Sequence, residues 1–110
     1  SLFVLGLNHQ TAPVDLRERV SVPDSLQGQA LEALMQAPGI EQAVLLSTCN
    51  RTEIYCHIAP EHEPGLARWL AEHHGIAPEA LSAYLYQHQD EQAVRHLFRV
   101  AAGLDSLVMG

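Results

Sequence analysis

Apolar residues run almost unbroken from Leu2 to Leu7 before polar Asn8 and His9, so residues 2–9 predict a buried strand. Thr11-Ala12-Pro13 ends it, and residues 14–20 fit one or two helical turns. Ser21 and Asp24, three apart around Pro23, predict a capped helix start. Leu26, Ala30, Leu34 and Ala37 then recur at helical spacing until Pro38-Gly39 stops them. Residues 42–48 predict a second strand and residues 52–58 a third. In the third, Ile54, Cys56 and Ile58 share one face and Tyr55 and His57 the other. These two strands form a hairpin joined through Thr48-Cys49-Asn50-Arg51-Thr52.

A polar break spans residues 60–64. Leu66, Trp69, Leu70 and His73 then mark a helix closing at Gly75, and Pro78 opens a short helical piece. Residues 83–88 predict a last strand. Asp90 is placed to cap a final helix over residues 91–102, with Val94, Leu97, Phe98 and Ala101 inward and Gly103 as its stop. The element order predicts an α+β fold: a ferredoxin-like βαββαβ sheet with helices on one face, plus an added C-terminal helix.

The 110 residues suffice for one domain over 1–110, and 47% hydrophobic content supports a core built from Leu, Val, Ala and Ile. No apolar stretch is long enough to cross a membrane, and the N-terminus carries no secretory pattern, which points to the cytoplasm. The net charge of −7, with no lysine and six arginines, argues against a general nucleic-acid-binding module. Two cysteines make no disulfide framework, and no Cys-His spacing predicts a metal site.

Candidate chemistry centres on Ser47-Thr48-Cys49-Asn50-Arg51-Thr52-Glu53. Cys49 sits where a buried strand passes into a tight polar turn. Such a turn exposes the thiol, surrounds it with backbone N–H groups that could hold an oxyanion, and sets Arg51 nearby to favour the thiolate. The competing reading is a small buried hydrophobe at a strand end. Cys56, alternating with Ile54 and Ile58, reads as core. Arg51 is either a solvated turn charge or a fork that recognises a substrate carboxylate. Thr48, Asn50 and Thr52 serve equally as turn-formers or ligands. His9 closes the first strand, at a site or bonded to its own loop. His96 flanks the apolar stripe of the last helix, as a boundary residue or a group titrating near neutrality. Asp105 and Ser106 follow Gly103, as helix-end residues or as a second polar wall of a pocket.

Three segments together resemble the glutamyl-tRNA reductase family: residues 6–14 followed by Leu16-Arg17-Glu18-Arg19, residues 47–53, and residues 96–110. They stand in the family's order and spacing at the beginning, middle and end of the chain. The resemblance implies that Cys49 attacks the aminoacyl ester of glutamyl-tRNA, giving a glutamyl thioester. NADPH then reduces the thioester to glutamate-1-semialdehyde, the first step of five-carbon tetrapyrrole synthesis. It matches His96 to an active-site histidine and Thr48, Arg51 and Ser106 to residues lining the glutamate pocket. Asn50 and His9 lie in the same motifs.

Family members continue through a long helix into NADPH-binding and dimerisation domains. The resemblance therefore implies that these residues are the N-terminal catalytic fragment, acting in the whole protein as a homodimer. Glutamate-1-semialdehyde aminomutase is the partner implied for the product. No GxGxxG fingerprint occurs in the sequence, so reductase activity is not expected of the fragment alone. Two other readings stand beside this one. One is a stand-alone thiol hydrolase; the other is a ferredoxin-like small-molecule-binding module without a reactive thiol.

Overall fold

The computed structural model describes the backbone of residues 1–109 and the side chains of residues 1–103. Strand β1 (Leu2–Asn8) leads through α1 (Val14–Val20) and α2 (Gln27–Met35) to a hairpin of β2 (Ile40–Ser47) and β3 (Arg51–Ile58). Helices α3 (Glu63–His73) and α4 (Pro78–Ser82) return the chain to β4 (Tyr86–Gln89), and α5 (Asp90–Met109) follows at once. The four strands form one antiparallel sheet in the order β2-β3-β1-β4, the ferredoxin-like arrangement expected.

Side-chain alternation splits this sheet into two faces. Phe3, Leu5 and Leu7 of β1 and Ile54, Cys56 and Ile58 of β3 pack under Val20, Leu34, Leu66, Leu70, Ala71 and Leu81, from helices α1 to α4. The opposite face presents Val4 and Tyr55, and α5 covers it through Ala93. The added helix therefore closes the second face of the sheet. Helix α3 ends in a left-handed Gly75, with the Gly75 N–H donating to Glu72 and the Ile76 N–H to Ala71, both at the backbone carbonyl.

Several local expectations give way. Ser21 does not cap α2; its hydroxyl donates to the Glu18 carbonyl at the end of α1, and α2 follows a 3-10 turn at Asp24–Leu26. The last strand lies three residues later than its predicted start and includes Gln89. Asp90 ties rather than caps: at φ +48, its Oδ1 accepts the Leu2 N–H, joining α5 to β1. Gly103 does not stop α5, which runs on to Met109.

The inward stripe of α5 is also shifted. Ala93, His96 and Val100 are buried, whereas Val94 and Leu97 are exposed and Phe98 is 69% exposed. Both stripes have helical spacing. The buried one is chosen by what it meets, namely a small residue over Val4 and Tyr55 and a histidine over a carboxylate.

Candidate active site

The β2–β3 hairpin positions the motif around Cys49. Ser47 pairs with Thr52, and the Thr48 N–H donates to the Arg51 carbonyl, leaving Cys49 and Asn50 at the tip. Thr48 shapes this turn: its Oγ1 accepts the N–H groups of Asn50 (3.2 Å) and Arg51 (3.3 Å). Those two N–H groups are thereby occupied, so the expected use of the turn's amides as an oxyanion cradle does not extend to them.

Cys49 is exposed and lines a cavity of about 250 Å³ with Val14, Arg17, Glu18 and Ser21 of the α1 region. Arg17 donates to the Ala12 carbonyl at 2.9 Å, while its buried Nε has no hydrogen-bond partner among the described residues. Cys56 is the opposite case. It is buried, and burial followed by the nearby Glu63 charge pushes its thiol up to about 11. The structure separates one accessible thiol from one held as an inert core group.

At the same end of the sheet, Asn8 stands opposite Arg51 in the β1–β3 register. Asn8 is nearly buried, and its Oδ1 accepts the N–H groups of Gln10 and Thr11, fixing the loop that exposes His9. His9 and Cys49 thus sit on adjoining loops at one edge. The side chain of Ser106 lies outside the described residues.

On the α5 face, a buried polar cluster gathers on Glu53, which is 0% exposed. Its Oε1 accepts the Tyr55 hydroxyl at 2.7 Å and its Oε2 the Tyr86 hydroxyl at 2.5 Å. His96 Nε2 bonds the same Oε2, and Arg51 Nη1 lies 3.4 Å away. His88 stacks on the His96 ring at 4.5 Å. Burial raises the Glu53 carboxyl, but hydrogen bonds from Tyr86, His96 and Tyr55 outweigh it and hold the group below its ordinary value. Burial and the adjoining Glu53 carboxylate push the hydroxyls of Tyr55 and Tyr86 well up, so both remain donors.

Gly6 makes the cluster possible. It is the β1 residue opposite both Glu53 of β3 and Tyr86 of β4, so Tyr86 reaches Glu53 across a strand position with no side chain. A Cβ there would fall 2.7 Å from Glu53 Cγ and 2.8 Å from the Thr52 carbonyl oxygen.

The structure therefore joins Arg51 and His96 through Glu53, and Cys49 and His9 lie in loops at the Asn8–Arg51 end of the sheet. Among the described residues, no hydrogen bond links Cys49 to His96. Sequence reasoning missed Glu53, Tyr55, Tyr86 and His88 as site residues. The available signal was a lone acid between Thr52 and Ile54 in a strand read as buried.

Among the described residues, no group of three or more His, Cys, Asp or Glu could hold a metal ion. The sheet is antiparallel throughout, and among these residues no strand, glycine-rich turn and helix follow in series as in the Rossmann dinucleotide-binding arrangement. No helix among them is long and apolar enough to cross a membrane.

Fold and site together define a ferredoxin-like α+β domain with an accessible thiol at a hairpin tip and a buried Glu-His-Arg cluster on the α5 face of the sheet. Comparison with known proteins gives the family. The model of the glutamyl-tRNA(Glu) reductase N-terminal domain matches residues 5–110, and the chain belongs to that family. It is 58% identical to a glutamyl-tRNA reductase of Xanthomonas campestris pv. phaseoli and 57% identical to one of Xanthomonas axonopodis pv. citri (strain 306). Each alignment covers all 110 residues of this chain and 24% of the relative, so the chain spans about a quarter of the length of these relatives. The solved glutamyl-tRNA reductase from Methanopyrus kandleri is similar over 94% of this chain and 23% of its own, with 28% identity and a TM-score of 0.69.

Proposed function

We propose that this chain is the N-terminal catalytic domain of a glutamyl-tRNA reductase, and that Cys49 takes the glutamyl group from glutamyl-tRNA as a thioester. The observation that carries this reading is the contrast between the two thiols within a family-matched domain. Cys49 is exposed at a hairpin tip beside a cavity, and Cys56 is buried with its thiol pushed to about 11. A thiolate attacks a carboxyl ester readily, and the ribose oxygen leaves.

Arg51 is suited to the side-chain carboxylate of the glutamyl group. Its 3.4 Å approach to Glu53 is long for a charge-assisted bond, so that contact does not saturate its fork of donors. His96 supplies a proton to the departing ribose oxygen. Thr48 and Asn50 shape the rim, with His9 in the loop after β1, and the family resemblance adds Ser106 to the glutamate pocket.

NADPH would supply the hydride that takes the thioester to glutamate-1-semialdehyde in the whole protein. In this reading the hydride donor is held by other parts of the whole protein, and this chain's share is acyl transfer. A cytoplasmic homodimer, with the aminomutase that uses the aldehyde as partner, completes the proposal. The −7 charge fits a domain that meets the acceptor end of tRNA while other parts of the protein grip its phosphates.

The test is discharge of tRNA. The full-length protein should deacylate glutamyl-tRNA without NADPH, and Cys49→Ser should lose this while Cys56→Ser keeps it. Equal rates in wild type and Cys49→Ser would reject the assignment.

A further inference from the structure

The proposed chemistry leaves the buried carboxylate without a task. Glu53 lies in the middle of β3, fully enclosed, and side chains from three elements converge on it: Arg51 and Tyr55 from β3, Tyr86 from β4 and His96 from α5. A buried acid is costly unless it is well bonded, and this one sits beneath a histidine that the acyl-transfer reading uses.

We propose that Glu53 is a positioning residue of the acyl-transfer site: its carboxylate holds His96 at Nε2 and thereby fixes both the ring orientation and the tautomer, leaving Nδ1 as the nitrogen that exchanges a proton with the reacting ester. This inference rests on the acyl-transfer reading above.

Donors and acceptors around Glu53 decide the tautomer. An ionised carboxylate only accepts, and both tyrosines spend their hydroxyl hydrogens on it. Hydrogen bonds from its partners hold Glu53 below its ordinary value, so it is ionised at neutral pH. The nitrogen of His96 that bonds it must carry a hydrogen. Neutral His96 then has its lone pair on Nδ1, and the cation has a proton there to give.

The step balances. The Cys49 thiolate forms the S–C bond, and the ester C–O bond breaks toward the ribose oxygen. The imidazolium delivers its Nδ1 proton to that oxygen. His96 is left neutral, with its Nε2 hydrogen still on Glu53. Arg51 shares the same carboxylate, so proton donor and carboxylate-recognising arginine are set by one group. The surrounding charges are Arg51 on β3, His88 on β4 stacked against His96, and Arg99 on α5, which acts on His88. Burial, followed by the charges of His96 and Arg99, lowers His88 and favours its neutral form.

The test reads the tautomer directly. Side-chain ¹⁵N NMR of histidine-labelled protein, at a pH where His96 is neutral, should show the Nε2–H form. In Glu53→Gln the amide can donate to Nε2 and should shift His96 toward the Nδ1–H form. Tyr86→Phe removes one donor but keeps the carboxylate, and should retain the wild-type tautomer. In the full-length protein, Glu53→Gln should slow glutamyl transfer to Cys49 by about a hundredfold or more, with an altered pH profile. Alkylation of Cys49 should be unchanged.

A wild-type His96 in the Nδ1–H form overturns the proposal even if Glu53→Gln fails to fold. So does a tautomer change in Glu53→Gln with an unchanged transfer rate. Failure of wild-type protein to label Cys49 would instead reject the acyl-transfer reading, whatever the NMR shows.

Discussion

Gly6→Ala probes the join between sheet and site. The new Cβ would lie 2.7 Å from Glu53 Cγ and 2.8 Å from the Thr52 carbonyl oxygen, closer than real Cβ contacts come. Neither neighbour can move freely: one belongs to a fully buried side chain, the other to the β3 backbone. Overpacking of this kind costs about 1–3 kcal/mol. The methyl also intrudes where Tyr86 reaches Glu53 across β1, and losing a hydrogen bond to a charged group costs about 1.5–3 kcal/mol more. Against this, alanine restricts the unfolded chain and returns roughly 0.4–1 kcal/mol. The net expectation is a loss of about 1.5–5.5 kcal/mol, which lowers the melting temperature by on the order of 10 °C or more in a domain of this size. Urea and thermal unfolding followed by circular dichroism would measure it. A Gly6→Ala protein as stable as wild type would refute the reasoning, because β1 would then not be pressed against Glu53.

Gly103→Ala should act in the opposite direction. A Cβ there meets nothing within 4 Å among the described residues, and α5 continues through the position, so stability should rise by about 0.5–1 kcal/mol on urea unfolding. Glu53 also predicts a pH dependence. Its folded carboxyl lies below the ordinary 4.5, so its contribution is complete above that value and is lost as the pH falls through the lower folded one. The urea midpoint of wild type should fall more steeply than that of Glu53→Gln between about pH 5 and pH 3; parallel curves would contradict it. The thiols should separate under alkylation of the native protein, with Cys49 modified and Cys56 protected until unfolding, as peptide mapping would show. Arg51→Ala should lose discrimination between glutamyl-tRNA and glutaminyl-tRNA in thioester formation, and unchanged discrimination would remove the arginine from substrate recognition.

Strand and helix order was legible because alternation in β3 and helical spacing in α3 are local patterns with local punctuation at Pro60 and Gly75. The Cys49 turn was legible for the same reason. The stripe of α5 was not: Val94-Leu97-Phe98-Ala101 is as periodic as Ala93-His96-Val100, and only the sheet beneath selects between them. Glu53 was hidden more deeply. Tyr55 and Arg51 are its neighbours in sequence, but Tyr86 of β4 and His96 of α5 come from dozens of residues away, Tyr86 reaching it across Gly6. A one-dimensional reading sees an acid in a strand, a glycine in another and a histidine on a helix. Cross-strand register makes them one cluster.

The most direct test of the central claim is acid-quenched capture of the acyl group. Full-length protein would be mixed with glutamyl-tRNA carrying labelled glutamate, without NADPH, and then digested and mapped by mass spectrometry. The account predicts label on the peptide containing Cys49, none on that containing Cys56, and none in Cys49→Ser. Label that persists in Cys49→Ser, or its absence from wild type, would contradict the claim that this thiol takes the glutamyl group.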